Sequence, residues 1–227
     1  MKRLLFVILL VSQSFTLIAQ SERVISFHSD IIIDTSSTIS VTESIKIYSN
    51  GTVFKRGITR TIPTIGIDST GNRVKHDLKI ISVEKDGRPS KYHTEKQSGS
   101  ITIYVGERDV FLTEGEYEYT INYSMSGQIR FFNEYDELYW NVNGFDWAFP
   151  FGEVSSKITL PSGGEIIQST CYTGAYGSVS QNCSTEELSE NSVRISAESL
   201  YPGENLTVAV GFEKGIVNQP PPPPPGW

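Results

Sequence analysis

The chain has 227 residues, of which 38% are apolar, and it carries 19 basic against 26 acidic side chains for a formal charge of −7. That apolar share is enough to build a packed core. The acidic balance argues against nucleic acid or an anionic bilayer surface as a charge-driven partner.

The chain opens with Met1, Lys2 and Arg3, followed by an apolar run from Leu4 to Val11 and a mixed stretch ending at Ala19. This order of charge, hydrocarbon and small residue reads as a secretory signal peptide over residues 1–19. The run is shorter than the ~20 apolar residues of a spanning helix, and an uncleaved anchor is the alternative reading. Cleavage after Ala19 would remove Lys2 and Arg3 and leave 17 basic against 26 acidic side chains, a formal charge of −9.

From there the apolar residues recur with a period of two, the mark of strands with one buried face. Ile25, Phe27, Ile31 and Ile33 share odd positions, and the same parity resumes at Ile39, Val41, Ile45 and Ile47 after the polar turn at 34–37. A hairpin is expected. Residues 49–75 carry Gly51, Gly57, Pro63, Gly66 and Gly71, which predicts a surface excursion with short extended pieces. Strands are then expected around Leu78, Ile80 and Val83, with a turn at 86–89 that returns the chain toward Tyr92, and around Ile101, Ile103 and Val105. Alternation is clearest at Tyr117, Tyr119, Ile121, Tyr123 and Met125. It recurs at Leu138, Trp140 and Val142, at Val154, Ile158 and Leu160, at Val193 and Ile195, and at Leu206, Val208, Val210 and Phe212. No helical stripe follows residue 20, so the expected class is all-β, an antiparallel β-sandwich over residues 20–213.

Cys171 and Cys183 are the two cysteines, and in an exported chain so close a pair reads as one disulfide. After Phe212 the alternation stops, and residues 214–227 form a proline-rich tail or linker with Pro220 to Pro225 in succession. Such a run favours a stiff polyproline II spacer on the order of 19 Å long.

The densest chemical cluster is Glu134, Asp136, Glu137, Asn141, Asn143 and Asp146, interleaved with Tyr135, Tyr139, Trp140, Phe145 and Trp147. Oxygen donors at this density suit Ca²⁺, but the spacing is not that of an EF-hand loop, and no metal ligand set is assigned. The aromatic rings could instead form a platform for a glycan or a peptide. Parity turns Trp140 toward the core and leaves Tyr139 and Trp147 as the exposed contacts. The ligand-binding residues read from the sequence are therefore Glu134, Asp136, Tyr139, Asn141, Asp146 and Trp147.

For catalysis there is neither a Gly-x-Ser-x-Gly elbow nor a His-Glu-x-x-His pair, and His28, His76 and His93 stand in strand or turn segments. No catalytic residue and no cofactor are assigned. The sequons at Asn50, Asn122, Asn182 and Asn205 are read as chance occurrences.

The stretch Tyr123-Ser-Met-Ser-Gly-Gln-Ile-Arg-Phe-Phe-Asn-Glu-Tyr-Asp-Glu-Leu-Tyr-Trp-Asn-Val-Asn-Gly144 resembles the signature of bacterial predicted membrane proteins with domain of unknown function 2207. Trp147-Ala-Phe-Pro150, the strand Val154 to Pro161, Cys171-Tyr-Thr-Gly-Ala-Tyr-Gly177, Ser40-Val-Thr-Glu43 and Arg56-Gly-Ile-Thr-Arg60 before Ile62-Pro63 are similar to the same family. The resemblance covers residues 23–213. It implies an exported β domain at the outer face of the cytoplasmic membrane or in the periplasm. It also implies anchoring through a segment downstream of residue 227 if the chain is a fragment.

The expected role is a binding or scaffolding module whose partner is an envelope protein or a glycan. The alternatives are a carbohydrate- or peptide-active enzyme using carboxylates such as Glu134 and Asp136, and a Ca²⁺-stabilised adhesion module.

Overall fold

The structure is a computed structural model that describes residues 21–68 and 71–221. The expected signal peptide and the end of the proline tail, residues 222–227, lie outside the described residues.

β1 (Arg23–Ile33) and β2 (Ile39–Ser49) form the expected hairpin. Its turn is held by the Asp34 carboxylate, which accepts from the Ser36 amide at 2.7 Å and the Thr38 amide at 3.2 Å. A bulge between Val24 and Ser26 shifts the pairing there, so Val24 enters the core and Ile25 is only half-buried. The odd parity read from the sequence thus fails at its first residue and holds from Phe27 onward.

The segment expected as a surface excursion contains β3 (Gly57–Pro63), followed by the short β4 (Ile65–Ile67) and β5 (Arg73–Lys75). β3 sends Ile58, Arg60 and Ile62 inward. Its breakers, Gly57 and Pro63, stand at its two ends, where they bound a strand instead of interrupting one.

β6 (Leu78–Lys85) turns tightly through Asp86 and Gly87, both at positive φ, into β7 (Arg88–Pro89). β8 (Tyr92–Gln97) then leaves that sheet and pairs with β9 (Ser100–Gly106). The remaining strands are β10 (Gly115–Met125), β11 (Ile129–Phe131), β12 (Asp136–Asn141), β13 (Phe151–Thr159), β14 (Ile166–Gly174), β15 (Ser184–Ser189), β16 (Ser192–Leu200) and β17 (Asn205–Phe212).

One sheet has eight strands in the order β15-β16-β13-β1-β2-β10-β6-β7, and a second has four in the order β11-β12-β17-β14. A third contains β3-β9-β8, and β4 pairs with β5. Side chains from the first three sheets share one core that includes Phe27, Ile45, Ile103, Tyr119, Trp140, Val193 and Phe212. The fold is the expected all-β sandwich with one departure from strict antiparallel order: β1 and β13 run parallel, Val24 opposite Phe151 through Ile32 opposite Thr159. A parallel pair needs a long crossover, and here the intervening chain visits every other sheet before β13 returns beside β1.

Candidate functional site

The family-like segments, far apart in sequence, meet inside the protein. Glu43 on β2 and Arg60 on β3 form an ion pair with side-chain exposures of 0% and 2%. Arg60 Nε donates to Glu43 Oε2 at 2.8 Å and Nη2 donates to Oε1 at 2.7 Å, while the Tyr123 hydroxyl donates to the same Oε1 at 2.8 Å. The remaining Arg60 donors reach the carbonyls of Thr61, Asn143 and Val142 at 3.0, 2.8 and 3.1 Å. All five guanidinium N–H groups are therefore satisfied, as a cation removed from water requires. Burial works against the Arg60 charge, but the facing Glu43 outweighs it and raises the pKa. Burial, reinforced by Glu43, also pushes the Tyr123 phenol well up, so it stays a donor.

Asn143 extends this network. Its carbonyl also accepts from Trp147 Nε1 at 2.8 Å, its Nδ2 donates to the Glu204 carbonyl at 2.8 Å, and its Oδ1 accepts from the Leu206 amide at 2.9 Å. Gly144 follows at φ 75°, where a Cβ would sit 2.8 Å from Arg60 Nη1, so the position admits no side chain. Its amide donates to Asn205 Oδ1 at 2.8 Å.

The six ligand-binding residues read from the sequence do not assemble into one site. Trp147 is 6% exposed and packs edge-on against Phe27 and Phe151, which corrects its assignment as an exposed contact. Its indole N–H bonds a buried carbonyl, which holds the ring inward. Asp136 is 1% exposed and accepts from Lys214 Nζ at 2.7 Å, so it serves the core edge and not a surface cluster. Asn141 accepts from Thr207 Oγ1 at 2.8 Å within the polar lattice around Asn205. Glu134 and Asp146 are exposed in the loops at opposite ends of β12. Alternation along β12, unseen by a count of nearby oxygens, disperses the calcium-like cluster. Among the described residues, no three His, Cys, Asp or Glu side chains gather as a metal site.

Tyr139 does face outward, and the structure adds partners to it that sequence reasoning misses. Arg130 on β11 lies 4.1 Å over its ring and pairs with Glu137 at 3.5 Å. Across the sheet, Tyr139 is opposite Ala209 and then Thr170, and Asn141 is opposite Thr207 and then Tyr172. Between these two tyrosines stand Thr207 and Ala209 of the central strand β17, small side chains that are themselves buried. Partial burial raises the pKa of Tyr139 and that of Glu137, each against the lowering effect of Arg130.

The expected disulfide is present: Cys171 and Cys183 are bonded, with Cα atoms 6.4 Å apart. Cys171 points inward from β14 while Tyr172 points out, and the loop closed by the bridge carries Tyr176, which is 89% exposed. Tyr176 meets Phe145 edge-on at 5.7 Å and adds to the electrostatic surroundings of Tyr139. Arg130, Tyr139, Tyr172, Tyr176 and Phe145 thus make an aromatic and cationic face. The sequence signal for it is the outward parity of β12, but the contribution of β14 and its loop carries none.

A cleft of about 610 Å³ lies elsewhere, at one end of the β3-β9-β8 sheet. Neither Glu134 nor Asp136 lines it.

The family model described as "Predicted membrane protein (DUF2207) N-terminal domain" matches residues 23–212. The chain is similar to the "Uncharacterized protein YciQ" of Escherichia coli (strain K12), 25% identical over 158 residues, which is 69% of this chain and 25% of that protein. It therefore spans about a quarter of the length of this curated relative. Among solved structures, it is similar to yeast LTA4 hydrolase in complex with bestatin, with a TM-score of 0.52 at 11% identity, covering 84% of this chain and 28% of that one. A putative protease from Parabacteroides distasonis aligns with a TM-score of 0.47 at 10% identity, covering 86% of this chain and 40% of that one. Likeness at this identity is one of fold alone.

Proposed function

The chain belongs to the family of the DUF2207 predicted-membrane-protein N-terminal domain, and on that footing we propose that it is the extracytoplasmic recognition domain of an envelope membrane protein, binding a glycan through the outer face of the β11-β12-β17-β14 sheet. The observation that carries this reading is the outward-facing set of Tyr139, Tyr172 and Tyr176, with Arg130 over Tyr139 and small β17 residues between the flanking rings. Aromatic faces stack on the C–H faces of sugars, while a cation and hydroxyls at the margin bond their polar edges.

The disulfide supports this role by holding the Tyr176 loop against β14 before any ligand arrives, which lowers the ordering cost of binding. A binding role is also supported by where the carboxylates lie: Asp136 is buried against Lys214 and Glu134 is exposed in a loop, so the pair does not converge in a concave site as acid and base catalysis would need.

The test is co-sedimentation of the purified domain with insoluble peptidoglycan, followed by calorimetry with soluble glycan chains released from it. Retention of the wild type is expected, with Tyr139→Ala and Tyr176→Ala together weakening binding at least tenfold at an unchanged melting temperature. Equal retention of this double variant would refute the assignment.

A further inference from the structure

We propose a second site, independent of the aromatic face: the cleft at the end of the β3-β9-β8 sheet binds an oxyanion-bearing ligand, phosphoryl or carboxylate, through Lys55, Arg56 and Arg108.

In a chain with 26 acidic against 19 basic side chains, three cations line this one cleft, and among the described residues none of them has a carboxylate partner. The acidic residue that also lines it, Glu107, is already engaged by Lys91 Nζ at 2.7 Å. Asp109, exposed in the same loop, does not line the cleft. The site therefore presents uncompensated positive charge to a volume of about 610 Å³.

The cations are prepared in advance. Arg56 Nε donates to the Arg108 carbonyl at 2.6 Å and its guanidinium lies 4.5 Å over the Phe111 ring, which fixes the plane of the fork and leaves Nη1 and Nη2 for a ligand. The Leu112 amide donates to the Lys55 carbonyl at 2.8 Å, tying the loop after β9 to the loop before β3. The latter loop is organised in turn by the Glu22 carboxylate. It accepts from the amides of Asn50, Thr52, Val53 and Phe54 at 3.1, 3.2, 2.7 and 3.2 Å.

Two glycines belong to the lining. Gly57 and Gly106 face each other in register, and a Cβ on them would fall 1.8 Å from the Val105 carbonyl oxygen and 2.0 Å from that of Arg56, respectively. The two chains therefore run closer together at this end of the sheet than side chains would permit. Beyond them His93 and Tyr104 stack at 4.7 Å and form one wall.

The described C-terminal residues pack at the other end of the first hairpin. The cleft opens where β2 ends at Ser49, whereas the Asn218 amide bonds Thr35 in the turn at the opposite end of the β1-β2 hairpin.

The experiment titrates the whole domain with inorganic phosphate and, separately, with poly(glycerol phosphate), following amide chemical shifts and calorimetric heats. Shifts are expected at Gly57, Tyr104, Gly106 and Arg108. Lys55→Gln and Arg108→Gln, both on exposed side chains, are each expected to weaken binding about tenfold, as the loss of a charge-assisted hydrogen bond implies, with Lys79→Gln on β6 unchanged. Tighter binding of the polymer assigns the oxyanion to a polymeric envelope ligand, and equal binding per phosphate assigns it to a free anion; both support the site. Absence of binding to either probe at low salt, or binding that Lys55→Gln and Arg108→Gln leave intact, overturns it. Because the cleft and the aromatic face share no residue, failure of one leaves the other standing.

Discussion

The Glu43 carboxylate and the Arg60 guanidinium meet fork to fork inside the sandwich, 2.7 and 2.8 Å apart, joining the eight-stranded sheet to the three-stranded one. Arg60 passes the connection on to the carbonyls of Val142 and Asn143, at the end of the four-stranded sheet. One side chain thereby ties three sheets whose strands are far apart in the chain.

Removing one member of such a pair leaves the other charge buried and unpaired, which costs about 3–5 kcal/mol. Arg60→Met is expected to destabilise by that amount in urea unfolding. Arg60→Lys keeps the charge but lacks the planar fork and two of the five donors, so a loss of about 2 kcal/mol is expected. A midpoint unchanged in both variants would show that the network is not a structural tie.

The histidines are expected to shape the mildly acid limb of stability. Burial depresses the pKa of His28, against Asp30, and burial likewise depresses that of His76, both below the ordinary value of 6.5. Where the folded value is the lower one, the unfolded chain takes up protons first, so stability falls as pH drops below 6.5. Unfolding free energy measured between about pH 7.5 and about pH 5.5 should decline in the wild type and flatten in His28→Gln/His76→Gln. A slope that survives both substitutions would assign the acid sensitivity to other groups. Glu22 acts lower on the scale: burial would raise its pKa, but the amides of Val53, Phe54 and Asn50 hold it below 4.5, so its contribution is present above that value and lost as pH falls through the depressed one.

The disulfide closes a short loop, with its cysteines 12 residues apart. On the chain-entropy account, Cys171→Ser/Cys183→Ser should cost about 3 kcal/mol, read as a lowered denaturation midpoint. Because Tyr176 rides on that loop, glycan retention should also fall in the folded double variant. Full retention with a lowered midpoint would mean that the bridge stabilises the fold without preparing the binding face.

Much of this architecture is legible in the sequence. Tyr119, Ile121, Tyr123 and Met125 are buried as their alternation indicates, and so are Leu138, Trp140, Val142, Leu206, Val208, Val210 and Phe212, although β17 is buried on its other face too. Turn chemistry locates the β1-β2 hairpin at Asp34 and the β6-β7 turn at Asp86 and Gly87. β3 escapes such a reading because Gly57 and Pro63 count as breakers until their places at its two ends are known. Strands β14 and β15 escape it because β15 is exposed along its whole length and β14 is buried only in part, so neither shows a clean period of two.

What the sequence determined by itself was local: which residues alternate, where the chain turns, and hence the all-β class and the paired cysteines. Only the tertiary structure decided that Glu43, Arg60, Tyr123 and Asn143 share one network, that Trp147 turns inward, and that three cations line one cleft. Periodicity reports which face of a strand is covered, because that depends on neighbours one or two residues away. The bond between Glu43 and Tyr123 spans 80 residues, and a meeting at that distance is set by sheet order and crossover, which leave no repeat in the chain to be read.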